Sequence, residues 1–202
     1  MSSSESEECS ETSEQFSEET EEESTDNISD TVKQVSRELL EARGYSIYRD
    51  FHNDFYPKII GKKDQEIFIQ LVFIIDQKLN VEPLNKIIKY LIDHNINHCI
   101  LVHTGNNVSA KVLEISHNLL VLNTKLEFFP YSNLKFNITK HELVPKHELV
   151  VGKEAQELKK KFGKFLIVIL STDPVSRFYG FNRGDVVKIY RKDQTIIYRK
   201  VV

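Results

Sequence analysis

The chain has 202 residues, enough for one or two domains of ordinary size, and its net charge of -3 conceals two opposite parts. The first thirty residues carry twelve acidic side chains and no lysine or arginine, so the remainder has 18 acidic against 27 basic residues, a net charge of about +9. A body with that excess favours polyanions or acidic protein surfaces. Two cysteines are too few for a disulfide framework or a thiolate zinc site, and the sequence shows neither a signal peptide nor an apolar run long enough to span a bilayer. We therefore expect a soluble, intracellular protein in a reducing compartment.

Residues 1–27 consist mostly of serine, glutamate and threonine, with Phe16 as the one large apolar side chain among them. Ordering this segment would bury almost nothing against the conformational entropy lost. We predict a disordered acidic tail. Ser2, Ser4 and Thr20 each stand three residues before a glutamate, a spacing that suits kinases with acidic specificity, although a purely solubilising tail explains the composition equally well.

Apolar residues recur at helical spacing from Ile28 to residue 40, with Asn27 as a candidate N-cap and Gly44 just past the end. Short strands are predicted around residues 45–47 and 59–60. A firmer apolar run at residues 67–75 predicts a central strand.

The next segments alternate between helical and strand patterns. Pro83 suits the first turn of a helix, which precedes a strand at residues 97–103 and a second helix at residues 109–118. Strand patterns follow at residues 126–129 and 134–138. This alternation predicts an α/β domain over residues 28–140, with a mainly parallel sheet.

The pattern changes after Pro145, which we expect to fix an extended entry into the next segment. A charged helix is predicted over residues 152–161, a strand over 165–171, and a turn where Asp173 precedes Pro174. Two closing strands, at residues 186–191 and 195–201, form an antiparallel hairpin. We therefore predict a small α+β domain over residues 141–202.

Two patterns suggest metal chemistry but do not establish it. His141 and His147 lie six residues apart across Pro145, so they cannot share one helical face as zinc-binding histidine pairs do. Asp54, Asp64 and the run Asp76-Gln77-Lys78 loosely resemble the paired carboxylates and lysine of metal-dependent nucleases. A solvated turn explains Asp76 more simply. Nuclease activity therefore stays open as an alternative, as does a free-standing nucleic-acid-binding protein.

Four ordered blocks in the last sixty residues carry a specific resemblance. They are His141-Glu142-Leu143-Val144-Pro145-Lys146-His147, Asp173-Pro174-Val175-Ser176-Arg177-Phe178-Tyr179-Gly180, Gly184-Asp185-Val186-Val187-Lys188-Ile189 and Tyr198-Arg199. In this order they resemble the assembly domain of the fifth subunit of eukaryotic nuclear DNA-directed RNA polymerases, a domain shared with a small archaeal polymerase subunit. Upstream, Arg43-Gly44-Tyr45, residues 85–104 and Ser109-Ala110-Lys111 also match, so the resemblance covers residues 28–202 and the two-domain eukaryotic form.

The resemblance implies a fold and a function. Residues 28–140 would form a jaw domain that folds like restriction endonucleases without being an enzyme, and residues 141–202 would form the assembly domain. The chain would then be a non-catalytic polymerase subunit with no cofactor or metal, a monomer within a hetero-oligomer. Its assembly domain would dock on the largest subunit while the jaw lies beside downstream double-stranded DNA.

The same resemblance nominates two sets of contact residues. The predicted contacts to the largest subunit are His141, Pro145, Lys146, His147, Asp173, Pro174, Arg177, Gly180, Gly184, Lys188, Arg191, Tyr198 and Arg199. The predicted DNA-proximal residues are Asn106, Asn107, Val108, Ser109 and Lys111. For the charged residues, pairing within the chain or simple exposure remains an equal alternative.

Several departures from the family pattern indicate a diverged lineage. Ile167 and Val108 stand where the family commonly has prolines, and the closing hairpin lacks the usual glycine after Thr195. The stretch between residues 162 and 173 is also shortened. Two origins remain open: a cellular subunit would be nuclear, whereas a viral one would work in a cytoplasmic factory and be packaged in virions.

Overall fold

The structure is a computed structural model that describes residues 28–51, 56–64, 67–75, 79–105 and 107–202. The predicted acidic tail, Asn27, and Asp54 and Asp76 with the neighbouring Gln77 and Lys78 therefore lie outside the described residues. Within the described part, no helix is long and apolar enough to cross a membrane.

The first sheet has five strands in the order β1-β2-β3-β4-β5. Their bounds are Ser46–Phe51, Lys58–Lys63, Ile67–Ile74, His98–His103 and Lys125–Pro130. β1 to β3 run antiparallel and β3 to β5 run parallel, so the sheet is mixed and the prediction of a mainly parallel sheet is wrong. The connections from β1 to β2 and from β2 to β3 are too short to hold the crossover helix that parallel neighbours need.

Helices cover both faces of this sheet. α1, Asp30–Ala42, packs its buried side chains Val32, Leu39 and Leu40 against one face, which we call the α1 face. α2, Val81–Asp93, and α3, Ala110–Val121, pack against the opposite face. The predicted α/β architecture and its three helices are therefore confirmed, with α1 beginning after Ser29.

A predicted strand at residues 134–138 is wrong. The chain instead forms two 3₁₀ turns there, Tyr131–Leu134 and Ile138–Lys140. The carboxamide oxygen of Asn137 accepts hydrogen bonds from the backbone N–H (2.9 Å) and hydroxyl (2.6 Å) of Thr139. Such local side-chain bonding competes with strand pairing, which explains why the apolar alternation misleads.

The second sheet has four strands in the order β6-β8-β9-β7, and their bounds are Lys146–Val150, Val186–Tyr190, Ile196–Val201 and Ile167–Ile169. β8 and β9 form the predicted antiparallel hairpin, and β7 lies parallel to β9 at the edge. The sequence does not predict β6, because charged side chains interrupt its short apolar pattern. The division of the chain into two domains near residue 140 stays a prediction.

Two helices accompany the second sheet. α4, Gly152–Phe162, matches the predicted charged helix and packs on one face through Ala155. The turn predicted at Asp173 is the start of α5, Pro174–Tyr179, because the Asp173 carboxylate caps the helix by accepting from the backbone N–H groups of Val175 and Ser176. The prediction of a turn alone is therefore corrected to a capped helix.

Candidate partner-binding surface

An open cavity of about 260 Å³ lies on the face of the second sheet opposite α4. Its wall includes five predicted contact residues: Pro145, His147, Asp173, Arg191 and Arg199. They meet because cross-strand neighbours share a sheet face: His147 pairs with Ile189, and β9 brings Arg199 to the same side. We call this surface the cavity face.

Arg199 contributes a buried polar atom to the cavity face. Its Nε is buried and has no hydrogen-bond partner among the described residues. An unpaired buried donor costs about 1–3 kcal/mol. The wall of the cavity therefore contains a buried donor for which the described residues supply no acceptor.

His147 is half-buried beside Arg199. Its Nδ1 lies 2.7 Å from the carbonyl oxygen of Pro145, and a carbonyl can only accept, so Nδ1 carries a hydrogen. Burial lowers the pKa of His147, outweighing the hydrogen bond to Pro145 and the nearby Asp173 carboxylate, which favour the charged form. A neutral ring in this arrangement leaves Nε2 as an acceptor.

Exposed apolar side chains surround the cavity. Leu143 is 76% exposed, Leu149 40% and Ile167 59%. Leu149 pairs with Val187 and Ile167 pairs with Arg199, which puts both on the cavity face. The surface thus combines cationic and apolar groups around one depression.

A second cluster joins the two sheets, and we call it the junction. Arg43, at the C-terminal end of α1, has a side chain only 4% exposed. Its guanidinium donates to both carboxylate oxygens of Glu127, at 3.2 and 2.9 Å. It also donates to the backbone carbonyls of Arg177, at 2.6 Å, and Phe178, at 3.0 Å, in α5.

Glu127 of β5 is the anionic centre of the junction. His98 Nε2 lies 2.7 Å from one of its oxygens and Lys125 Nζ lies 3.0 Å from the same oxygen. Burial by itself would raise the pKa of Glu127, but the hydrogen bonds and charges of His98 and Arg43 outweigh it and hold that pKa far below its usual range. Glu127 is therefore a carboxylate at neutral pH.

Arg177 and Gly180, both predicted contacts to a partner, lie at the junction. The Arg177 guanidinium donates to the Phe128 carbonyl and lies 4.6 Å from the centre of the Phe129 ring. Gly180 ends α5 with a φ of +70°, and a β-carbon there would stand 2.9 Å from Cζ of Arg43. Pairing within the chain thus accounts for these two positions, and contact with a partner stays a prediction.

The remaining predicted contacts are dispersed. Lys146, Lys188 and Tyr198 lie on the α4 side of the second sheet, where the Tyr198 hydroxyl is 3.3 Å from a Glu154 carboxylate oxygen and donates to it. His141, Pro174 and Gly184 lie in the connections around the sheet: His141 in an exposed turn, Pro174 at the first position of α5, and Gly184 in the turn before β8.

The predicted DNA-proximal residues surround the N-terminus of α3. Ser109 caps the helix by accepting from the Val112 N–H at 3.4 Å, while Val108 packs partly into the core. Asn107 and Lys111 are exposed. Asn106 lies outside the described residues.

No group of three or more histidine, cysteine or acidic side chains in the described ranges could hold a metal ion. Asp64 lies in the turn between β2 and β3, with a φ of +56°. Sequence reasoning missed the junction residues Arg43, Glu127 and His98. The signal was present, since a glutamate inside the apolar run of β5 requires a buried partner.

Comparison with known protein families identifies the class of domain to which the second sheet belongs. A family model described as RNA polymerase Rpb5, C-terminal domain, matches residues 136–201, which include the whole second sheet. That part of the chain is thus a polymerase-subunit domain.

Similarity to whole proteins extends further upstream. The chain is 28% identical over 182 residues to a putative DNA-directed RNA polymerase subunit of Invertebrate iridescent virus 6, covering 83% of this chain and 96% of the relative. It is 34% identical over 139 residues to subunit rpabc1 of polymerases I, II and III of Dictyostelium discoideum, covering 67% and 71%. With RPABC1 of Caenorhabditis elegans the identity is 36% over 135 residues, 63% of each protein. The chain belongs to the Rpb5, or RPABC1, family of RNA polymerase subunits.

Proposed function

We propose that this chain is a subunit of a multisubunit DNA-directed RNA polymerase and contributes no catalytic group to it. Its family membership supports the proposal, because the relatives are named as subunits of such polymerases. The described residues are organised as structural cores, a charged junction and a binding face, which suits an assembly role.

The cavity face docks on the largest subunit in this proposal. The observation that carries it is the buried Nε of Arg199, which has no partner within the described residues although it lines an open cavity. A carboxylate or carbonyl of the large subunit would accept from Arg199, and its apolar side chains would cover Leu143 and Ile167. Charge-assisted pairing at the centre of an apolar surface is the arrangement expected of an anchoring contact.

The test is affinity purification of the tagged full-length chain from its native source, with mass spectrometry of the recovered proteins. We expect large polymerase subunits with the wild-type chain and their loss with Arg191→Glu, which reverses an exposed charge of the cavity face. Lys153→Glu reverses an exposed charge on α4 and serves as the matched control. Equal recovery with both variants would reject the cavity face as the docking surface, and absence of polymerase subunits from the wild-type sample would reject the proposed function.

Point variants serve this test better than removal of residues 141–202. Phe178 is 2% exposed and belongs to the core on the α1 face of the first sheet. Deleting it with the second sheet would uncover that core and remove two acceptors from Arg43. Loss of polymerase would then report misfolding as well as lost docking.

The first sheet and its helices form the jaw beside downstream DNA in this proposal. Lys111 is exposed in the first turn of α3, where the positive end of the helix dipole also favours phosphate. In assembled polymerase, Lys111→Glu should weaken DNA retention and lower the salt dependence of binding by about one counterion. Lys153→Glu is again the control. If Lys111→Glu left the salt dependence of DNA binding unchanged, the proposed contact between Lys111 and DNA would be rejected.

The likeness of the first sheet to restriction endonucleases stays part of the proposal, as does the cellular location. The relatives come from eukaryotes and from a virus. A cellular chain would act in the nucleus, and a viral one in a cytoplasmic factory and in virions. Microscopy of the tagged chain in its native source separates these locations.

A further inference from the structure

A second cavity, of about 390 Å³, opens between α2 and strands β2 and β3 on the face of the first sheet opposite α1. It lies apart from the cavity face and the junction, and no function proposed above uses it. Its wall is formed by Tyr56, Lys58, Gln70, Val72, Lys86, Ile87, Lys89 and Tyr90. We call it the α2 cavity.

Gln70 supplies an unsatisfied polar atom in the wall of the α2 cavity. The residue is only 2% exposed, and its amide oxygen has no hydrogen-bond partner among the described residues. Buried polar atoms are nearly always paired in native proteins. A ligand that places an N–H donor in the cavity would satisfy this oxygen.

The rest of the cavity is aromatic and cationic. Lys58 Nζ lies 3.8 Å from the centre of the Tyr90 ring, and Val72 and Ile87 provide apolar wall. The exposed ammonium groups of Lys86 and Lys89 stand at the rim, with Lys86 3.1 Å from Glu82 one helical turn away. The α2 cavity therefore fits a peptide segment with an apolar or aromatic side chain and acidic neighbours. A backbone N–H of that segment would donate to the Gln70 oxygen.

The chain itself contains a segment of that chemistry. Phe16 is the one large apolar side chain in residues 1–27, and it stands between Glu14 and the pair Glu18 and Glu19. Phe16 lies twelve positions before Ile28, and twelve residues span at most about 40 Å. Ile28 packs on the α1 face and the α2 cavity lies on the opposite face, so the docked segment requires a nearly extended linker that passes round an edge of the first sheet.

We propose that the acidic tail docks on the same chain, with Phe16 in the α2 cavity, its flanking glutamates beside Lys86 and Lys89, and a tail backbone N–H donating to Gln70. The docked tail neutralises the exposed ammonium groups of Lys86 and Lys89. This inference is independent of the polymerase function, since it uses no residue of the cavity face.

The chain contains no tryptophan, so Phe16→Trp in the full-length protein creates a single fluorescent reporter at the proposed anchor. We expect its emission to be shifted to the blue and weakly quenched by acrylamide in the native protein, and to shift to the red in denaturant. Adding Lys86→Glu and Lys89→Glu should produce the red shift without unfolding, as checked by circular dichroism. The matched control is Lys159→Glu with Lys160→Glu, two exposed α4 residues whose reversal changes the net charge equally.

Each of the other outcomes would overturn the proposal. Emission of the Phe16→Trp protein equal to that of its denatured form would show that the tail is not docked, and a blue shift that survives reversal of Lys86 and Lys89 would place the reporter elsewhere. Loss of the blue shift in the α4 control as well would show general charge attraction. A blue shift that disappears on dilution would assign the cavity to the tail of a second copy. If the tryptophan of the Phe16→Trp protein were exposed and a nucleoside triphosphate bound in a manner that requires Lys86, the α2 cavity would be assigned to a nucleotide.

Discussion

Replacing Glu127 with glutamine removes the charge at the centre of the junction while keeping the shape of the side chain. The Arg43 side chain is 4% exposed and that of Glu127 is 16% exposed, and two hydrogen bonds join them. Two unit charges at about 4 Å attract by about 4 kcal/mol at an effective dielectric constant of 20. We expect Glu127→Gln to lower the free energy of unfolding by about 3–5 kcal/mol at pH 7, the range found when one partner of a buried pair is removed.

The effect should depend on pH in a defined direction. The groups facing Glu127 are Arg43, His98, Lys125 and the Arg177 guanidinium. Because they hold the pKa of Glu127 below its value in the unfolded chain, the stability from this carboxylate is fully present above the unfolded pKa and is lost as the pH falls. The advantage of the wild-type protein over the variant should shrink by about 1.4 kcal/mol for each pH unit below about 4.3.

Urea denaturation followed by far-ultraviolet circular dichroism at pH 7, 5, 4 and 3 measures both quantities. Glu157→Gln is the control, because Glu157 is an exposed α4 carboxylate whose replacement should change stability by less than about 0.5 kcal/mol at every pH. If Glu127→Gln cost the same at pH 3 as at pH 7, the assignment of Glu127 as a charged anchor would be refuted. A loss below about 1 kcal/mol at pH 7 would refute the magnitude derived from burial.

Three further changes test backbone positions by the same urea assay. Gly180→Ala should destabilise the protein by about 2 kcal/mol more than Gly152→Ala, since both have positive φ but only Gly180 adds a clash, so equal losses would contradict the close approach of Arg43 to Gly180. Gln194→Gly should stabilise the closing hairpin by about 1 kcal/mol because Gln194 has a φ of +64°, whereas Lys192→Gly should not. Ser109→Ala should cost about 1 kcal/mol, and Ser109→Asp should restore it through the N-cap of α3.

Helical periodicity predicts helices that bury one face, and continuous apolar runs predict strands that are buried on both faces. α1 and α2 follow from apolar residues at helical spacing, and β3 and β4 follow from continuous apolar runs that form largely buried strands. The pattern fails at residues 134–138, where Leu134 reaches the core from a 3₁₀ turn while Phe136 is 54% exposed. Apolar alternation alone cannot distinguish a strand from two 3₁₀ turns, because the hydrogen bonds between Asn137 and Thr139 favour the turns.

The closing hairpin shows how a departure from a pattern is accommodated. The sequence lacks glycine after Thr195, and Gln194 takes up the left-handed conformation at the end of the turn. Asp193 accepts from the backbone N–H and the hydroxyl of Thr195, which stabilises the turn locally. The hairpin therefore retains the predicted strands with an unfavourable residue at one position.

The candidate surfaces were predictable to different degrees for a physical reason. The cavity face assembles from short motifs in which a proline, an N-cap or a strand pair fixes each side chain locally, and five of the thirteen predicted contact residues line it. Their contact with a partner stays a prediction. The junction joins Arg43, Glu127 and Arg177, which lie far apart along the chain, and no local pattern connects them. The α2 cavity is recognised as a site because the Gln70 amide oxygen has no hydrogen-bond partner in the described part of the chain, a property that only the folded structure reveals.

α5 links the cavity face to the junction. Asp173 and Val175 line the cavity, whereas Phe178 packs into the core on the α1 face of the first sheet and Gly180 admits the Arg43 guanidinium. A partner that binds the cavity therefore contacts the same short helix that holds the two sheets together. Because a helix of six residues moves as one unit, docking of the second sheet should also fix the orientation of the first. Under the proposed function, Arg43 would then contribute to assembly although it lies outside the second sheet.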